Sequence, residues 1–596
     1  MFVRTVKIRS SNGTVHEYVR IVSSVRDNGR VKQKVVANLG RRDTLEAVLP
    51  MLNRFLHGED DQQLAQQLAE QGSIEVLDSS TWGPTLVARH LFEQLGLWQL
   101  LDAGRRWSQL LPDEDPNDDW PSRVLALLTN RLVRPGSEHA LAEWLETDFV
   151  CDRQGRRYVP CWHQQGRVQV DLTQLQRWYR TLDHLYLNKD QIEVALYERL
   201  RDLFNFKPDL VLYDITSTYF EGHGPATLAK HGHSRDGKPR NVQVVVGVVM
   251  VAGWPIAHHV WAGNTRDSTT VKEVIEDLSK RFDFRQLVFV GDRGMVTENN
   301  LQTIEEAEGD WGFLLGMTRR QNPEAETLID RVKEDQWIEC ESGINAREKK
   351  LDDRPQTRVQ EVECDRVGVR AFVVDSDERR EYEQRMRNKA MERVRGGLEK
   401  VQARVAKGRL KKPEKIGAAV ERVLQRNHGY RYYAWEIKDG QLHVFEHPTN
   451  LPREKKYEGK YLIQTDQTSI TAEQAVAHYK ELNEVERGFR CLKDPIGMRP
   501  IWYRVERRVR AHIFVAALAF LMDRMLERAL KDAGVKFSAT SAWTALQTIR
   551  HTRFRVHGEI RTGVTPGSTR ACQVLNALKL TERRPPDAPA GDETTM

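Results

Sequence analysis

Three carboxylates carry the chemical interest of this chain. Asp214 follows an apolar run, Leu210 to Tyr213, in "DLVLYDITSTYF", and Asp292 follows another in "QLVFVGD". Glu486 stands seven residues after Tyr479 and seven before Lys493 in "HYKELNEVERGFRCLKD". Carboxylates are almost never fully buried unless something pairs with them. Two aspartates at strand ends of an α/β sheet repel each other unless a cation sits between them, and a divalent ion with oxygen ligands meets that need. Each also reads as a helix cap or turn residue, Asp292 in "GDRGM" above all. On one helix a step of seven drifts by only about 20°, so Tyr479, Glu486 and Lys493 form one stripe. Leu482 and Phe489 lie beside it and would anchor it to the sheet. A solvated charged helix fits "KELNEVER" equally, so on the residues alone both readings stand.

The elements around these residues read as α/β. Leu210–Asp214 reads as a strand. "NVQVVVGVVMV" and "PIAHHVWAG" follow as two more, joined by a hairpin turn at Ala252, Gly253 and Trp254. "DSTTVKEVIEDLSKRF" reads as a helix capped at Asp267 or Ser268, and "TENNLQTIEEAE" as one capped at Thr297. With "QLVFVGD" and "WGFLLGM" as further strands, the order β, β, β, α, β, α, β predicts a sheet mixing antiparallel and parallel strands. "KYLIQTD" returns to strand patterning. A helix is predicted over 471–493 and another, strongly apolar on one side, over 505–531.

Seven regions follow from these patterns. Residues 1–60 form a small β-rich unit with a basic face and a turn at Asp27-Asn28-Gly29. Residues 61–205 are helical, from "LAQQLAEQ" to "QIEVALYERLRDLF", punctuated by Pro112, Pro116 and Pro121, and could bind DNA. The α/β core occupies 206–319 and resumes at 456–535. Between them, 320–455 reads as an insertion holding a strand pair that turns at Asp439-Gly440 and a charged helical hairpin over 377–427. A helical region is expected at 536–575 and a disordered, Pro-rich tail at 576–596.

Composition narrows the class. The 596 residues are 40% apolar and 30% charged, with a formal net charge of +6, a mild lean towards polyanions. Six cysteines at 151, 161, 340, 364, 491 and 572 form no CxxC pair, which reads as reduced thiols rather than a zinc site. "MFVRTVKIRSSNG" has no apolar core of a secretory signal, and the apolar run Ile513 to Met522 is too short to cross a bilayer, so a cytoplasmic location is expected.

Asp on a first strand, Asp after the fourth, and Glu on a late helix resemble the DDE transposases of bacterial insertion sequences, in the branch with the Tyr-Arg-Glu-Lys signature. The resemblance covers roughly residues 205–320 and 455–525. "HGHSRDGKPRNVQVVVGVVM", "WAGNTRDSTT", "RPIWYRVERRVRAHIFVAALAFL" and the N-terminal "VRIVSSVRDNGRVKQKVVANLG" carry it further. One departure stands out: Leu482 occupies the place of the signature arginine, and Arg487 or Arg490 would have to supply a basic partner.

The resemblance implies an RNase H-like core interrupted by the insertion. It implies a transposase that binds terminal inverted repeats and carries out DNA cleavage and strand transfer. Asp214, Asp292 and Glu486 would be catalytic and would hold two Mg²⁺ ions, with Mn²⁺ able to substitute. Tyr479, Lys493, Arg487, Arg490, His231, Arg235 and Lys238 would contact DNA, while Asn264 and Asp267 shape the rim. Transposon ends and target DNA are the implied partners, no membrane is involved, and a homodimer is expected from the pairing of two ends. Two alternatives remain open at this point: a catalytically silent DNA-binding protein of transposase descent, and a metal-dependent nuclease without strand transfer.

Overall fold

A strand buried along its whole length needs neighbours on both sides, and "QVVVGVVMV" is one: every residue from Gln243 to Val251 is buried. It lies within a nine-stranded sheet of the computed structural model. The structure describes residues 2–9, 15–27, 30–42, 75–107, 118–159, 161–164, 167–206, 209–282, 284, 286–292, 297–306, 310–319, 322–340, 356–556 and 559–586. The predicted helix at 64–71, the turn residues Asn28 and Gly29, Pro112, Pro116 and the tail beyond 586 lie outside the described residues.

The sheet strands, in chain order, are β1 (Leu210–Tyr219), β2 (Gln243–Val251), β3 (Trp254–Ala262), β4 (Gln286–Gly291), β5 (Asp310–Met317), β6 (Ile338–Cys340), β7 (Thr357–Val362), β8 (Arg370–Ser376) and β9 (Lys460–Thr465). Across the sheet they run β3-β2-β1-β4-β5-β9-β8-β7-β6. β1, β2 and β3 are antiparallel, and β4 and β5 run parallel to β1. This order and polarity is the RNase H-like arrangement. The β2–β3 turn has φ 50° at Ala252 and 81° at Gly253, the left-handed pair that a tight hairpin requires. Three strands that fall in the predicted insertion, β6 to β8, join the same sheet and reach the core through β9.

Alternation along β1 divides its side chains between two layers. Val211, Tyr213 and Ile215 pack against Val271, Val274, Ile275 and Leu278 of the helix Asp267–Phe282. Leu212, Asp214 and Thr216 take the other face. Val248, level with Asp214 on β2, lies there beside Leu492, Phe514 and Phe520. These three come from the helices Leu482–Lys493 and Glu506–Asp532.

A buried ionic knot ties the helix Lys189–Phe204 to this core. Glu193 Oε1 accepts from the His258 backbone N–H at 3.0 Å and lies 2.7 Å from His258 Nδ1. Its Oε2 accepts from Lys189 at 2.7 Å and Arg281 at 2.8 Å. Burial pushes the Glu193 carboxyl up, yet Lys189, His258 and Arg281 outweigh it and hold the group well below the usual carboxylate range. The helices between Gly83 and Phe204 belong to the same compact unit as the core, which spans 83–547 and 568–596.

The first unit, 1–82 with 548–567, holds two small sheets. One comprises Phe2–Arg9, Val15–Asp27 and Arg30–Arg41. In the other, Glu75–Thr81 pairs with Arg550–Val556, which pairs with Glu559–Val564. Strands therefore occur in both stretches expected to be helical, 61–205 and 536–575. "RHTRFRV" alternates around Thr and Phe, and it finds its partner strand hundreds of residues away, which no local window reveals. A short hairpin, Cys161–Gln164 with Arg167–Val170, is a further departure in the first stretch.

The charged helical hairpin is present as Asp377–Ala406 and Pro413–Arg426. Val394, Leu398, Val401, Ile416, Val420 and Leu424 give it a small core, closed by Tyr432, Tyr433 and Leu442 of the following strand pair. Among the described residues, no helix is long and apolar enough to cross a membrane.

Removing the anion at the centre of the ionic knot takes from Lys189, His258 and Arg281 their shared buried partner, leaving Arg281 its pair with Asp277 and Lys189 only the exposed Asp190. Glu193→Ala is therefore expected to cost ~3–5 kcal/mol in urea denaturation at neutral pH. A loss under ~1 kcal/mol would show that the knot is peripheral to stability.

Candidate active site

Asp214 does not end its strand. β1 runs on to Tyr219 through "ITSTY", whose β-branched and aromatic residues suit a strand. The aspartate instead sits mid-strand, facing the Glu486 helix layer. β4 pairs with β1 as Val288 with Leu210, Phe289 with Val211 and Val290 with Leu212. Continued by two residues, that register puts Asp292 level with Asp214. Adjacent strands lie about 4.8 Å apart, so the sheet itself brings these carboxylates together.

The predicted helix over 471–493 is two helices, Ala472–Lys480 and Leu482–Lys493, joined at Glu481. Glu481 keeps φ −63° and ψ −21°, but its carbonyl accepts from Glu484 three residues on, a tightened turn. Tyr479 therefore belongs to the first helix, and Glu486 and Lys493 to the second. Leu482, at 9% exposure, and Phe489, at 6%, anchor the second helix as expected. Leu482 has no charge to offer, so the signature arginine is missing and its place is filled by packing.

Asp214, Asp292 and Glu486 open onto one cleft of about 430 Å³. Asp267 adds a fourth carboxylate, Arg235, Arg490 and Lys493 supply cations, and Phe489 forms part of the wall. Burial, with help from Asp292 and Glu486, pushes the Asp214 carboxyl up to about 7. The Ile215 N–H at 2.8 Å and Arg235 work against that rise.

Tyr479 turns to Asp292. Its hydroxyl donates to Asp292 Oδ1 at 3.3 Å, and its ring stacks on Tyr461 with centroids 5.8 Å apart. Burial, then the Asp292 charge, raises the phenol well above its ordinary value, so it stays a neutral donor. The ring lies flat on β5 only because position 316 is glycine: a Cβ there would stand 2.1 Å from the tyrosine oxygen.

The cations divide into engaged and open groups. Arg235 Nη2 donates to Asp267 Oδ2 at 2.7 Å. Asp267 is the first residue of its helix and an acceptor in the cleft rather than its cap. Lys493, only 11% exposed, pairs with Asp236 at 2.8 Å, and burial lowers its pKa. Arg487 points away to Glu484 at 2.8 Å. Arg490 is exposed on the cleft wall, and His231, His233, Lys238 and Asn264 are exposed. Lys238 stands 5.9 Å over the Tyr219 ring. Asp267 lines the cleft, in keeping with the rim position expected for it, whereas its pairing with Arg235 and the place of Asp236 are not evident from the sequence. The motif "GHSRD" was the available signal, but its contacts are with residues far along the chain.

The donor set suits a hard divalent cation: it is all oxygen, and the charges of Asp292 and Glu486 add to the rise at Asp214. Among the described residues, no three His, Cys, Asp or Glu side chains close on one point tightly enough to coordinate an ion. The carboxylates thus share a cleft without forming a preformed cage.

The family described as "IS1634 family transposase, N-terminal domain" matches residues 3–73, and "Transposase DDE domain" matches residues 206–522. The second match covers more than half of the chain. No curated protein matches. A solved structure, the cryo-EM structure of a piggyBac transposase synaptic complex with hairpin DNA, is 8% identical over 80% of this chain and 82% of that one, with a TM-score of 0.34. Proteins with a transposase DDE domain use divalent metal ions.

A raised carboxyl pKa favours the folded state below the unfolded value and loses that advantage as pH rises through about 7. Asp214→Asn removes the ionisation cost. It is expected to stabilise the metal-free protein by on the order of 2 kcal/mol at pH 8, allowing for partial solvent contact, and by less at pH 5. Thermal melts at the two pH values measure this. An equal or reversed effect would place Asp214 outside the carboxylate cluster.

A second test concerns Tyr479. Gly316→Ala should cost ~1–3 kcal/mol by displacing the ring, and nearly nothing in a Tyr479→Ala background. The same cost in both backgrounds would show that position 316 does not seat the ring.

Proposed function

We propose, from the premise that this chain belongs to the DDE transposase family and is the transposase of an insertion sequence, that it binds the terminal inverted repeats of its element and catalyses metal-dependent cleavage and strand transfer there. One observation carries the reading: carboxylates at 214, 292 and 486, far apart in sequence, line a single cleft. Asp214, Asp292 and Glu486 would hold two Mg²⁺ ions between them, and Mn²⁺ would substitute. Bound there, the metals supply an activated water or 3′-hydroxyl and charge stabilisation for the leaving 3′-oxygen.

The chain's own residues do the rest. Asp214, with a pKa near the working pH, is readily deprotonated when a cation arrives. Tyr479 orients Asp292 through its hydroxyl. Arg490 and Lys493 stand on the cleft wall one and two turns beyond Glu486, where a DNA phosphate would lie. Arg235, also on the cleft wall, pairs with Asp267. His231 and Lys238 extend the basic rim towards the flanking DNA, and Arg487 lies on the outer face of the same helix. Residues 61–205 would contribute DNA contacts of their own. Two copies of the chain would pair the two ends, acting in the cytoplasm on bacterial DNA.

Asp214→Ala, Asp292→Ala and Glu486→Ala are each expected to reduce cleavage of end DNA at least ~10³-fold in Mg²⁺ or Mn²⁺. Affinity for the ends measured in Ca²⁺ should change less than ~3-fold. Wild-type cleavage by any one variant would remove that residue from the site. Cleavage by the wild type without joining to target DNA would reduce the activity to that of a nuclease.

A further inference from the structure

The loop "HSRDG" touches three walls of the cleft. Ser217, three residues after Asp214 on β1, donates from Oγ to the His233 carbonyl at 2.9 Å and accepts from the Arg235 N–H at 3.0 Å. Arg235 reaches Asp267 at the start of the next helix. Asp236 reaches the third wall. Its Oδ1 accepts from Lys493 Nζ at 2.8 Å and from Arg499 Nη1 at 2.7 Å. Lys493 shares a helix with Glu486, and Arg499 follows that helix.

The pairing is uneven. The Asp236 side chain is 2% exposed, and both cations crowd onto one oxygen. The other oxygen, Oδ2, is buried and has no hydrogen-bond partner among the described residues. A buried carboxylate can accept several bonds through its two oxygens, and one left half-satisfied contributes little net stability. A carboxylate placed for stability alone would fill both oxygens. This one instead fixes two cations at the rim of the cleft: Arg499 also reaches the exposed Asp494, and Lys493 keeps N–H donors that a phosphate can share.

We propose that Asp236 is a positioning residue for the DNA reaction: it holds Lys493 and Arg499 against the loop, sets the Glu486 helix relative to Asp214, and shares these cations with a DNA phosphate when an end enters the cleft. The inference rests on the proposed function above. Asp236 acts through Lys493 and touches no reacting atom. Its charge opposes DNA binding in the free protein and enforces geometry in the complex, so its loss separates binding from turnover.

The test uses the full chain and a duplex carrying the element's end. Binding is measured at salt concentrations between about 50 and 300 mM, with cleavage followed under the same conditions. Asp236→Asn is expected to tighten binding and steepen the slope of log K against log salt by about one to two, as Lys493 and, less completely because it keeps Asp494, Arg499 gain phosphate contacts. kcat should fall at least ~10-fold while KM falls or stays level. A merely structural defect would weaken binding and leave the slope unchanged or shallower, and either outcome overturns the proposal. Adding Asp236→Asn to Lys493→Gln should steepen the slope by roughly half as much, and an undiminished change would remove Lys493 from the pair. If Asp236→Asn yields little folded protein, Asp236→Glu keeps the charge but moves it by one methylene. It should lower kcat with the wild-type salt slope, and wild-type kcat in that variant overturns the positioning role. A wild type that binds and cleaves beside an unaltered Asp236→Asn defeats this inference alone. A wild type that neither binds nor cleaves defeats the proposed function, and this inference with it.

Discussion

Like charges converging on a partly buried cleft are the constraint on which the rest of this molecule depends. Asp214, Asp267, Asp292 and Glu486 all line it. At an effective dielectric of about 20, two carboxylates 4 Å apart repel by about 4 kcal/mol, a large part of a domain's whole stability. The fold answers in two ways. Arg235 neutralises Asp267, and Tyr479 gives Asp292 a neutral donor. For Asp214 the answer is partial: its pKa rises to about 7, leaving it poised between a proton and a cation. A divalent ion held there as proposed would supply what the protein alone does not, and would organise the cleft as well as serve the reaction.

The scaffold makes this strained arrangement persist. The parallel register of β4 on β1 fixes two aspartates level with each other without any side-chain contact between them. Gly316 lets Tyr479 lie on the sheet, and Leu482 and Phe489 seat the Glu486 helix on the face that Asp214 occupies. The knot around Glu193 binds the preceding helices to β3 and the helix Asp267–Phe282, so the sheet cannot relax away from its load. The β6–β8 strands continue the sheet beyond β9, so the charged helical hairpin is carried on the same framework as the cleft.

Much of the core was legible because its signals are local. The apolar runs of β2, β4 and β5, the Ala252-Gly253 turn and the Thr297 cap each declare themselves within a few residues, and Thr297 does accept from the Asn300 N–H. The three acids were legible because two follow apolar runs and the third sits among spaced Tyr and Lys. What stayed hidden needs knowledge of distant partners. β1 was cut short at Asp214 because aspartate disfavours strands, although "ITSTY" has the β-branched content to continue. The break at Glu481 was missed because its dihedrals stay helical while only the hydrogen-bonding step tightens. Asp236 sits in "GHSRD", but nothing in that motif points to its partners, which lie over 250 residues away. The hairpin near the C-terminus was read as helical because its third strand lies at Glu75–Thr81.

The central claim is that these carboxylates gather divalent metal in this one cleft. Anomalous diffraction from crystals of the wild-type chain bound to end DNA and soaked in Mn²⁺ tests it most directly. The account predicts two peaks in the cleft, held between Asp214, Asp292 and Glu486. Manganese bound elsewhere on the chain, or a cleft that stays free of it while the DNA is engaged, would contradict it.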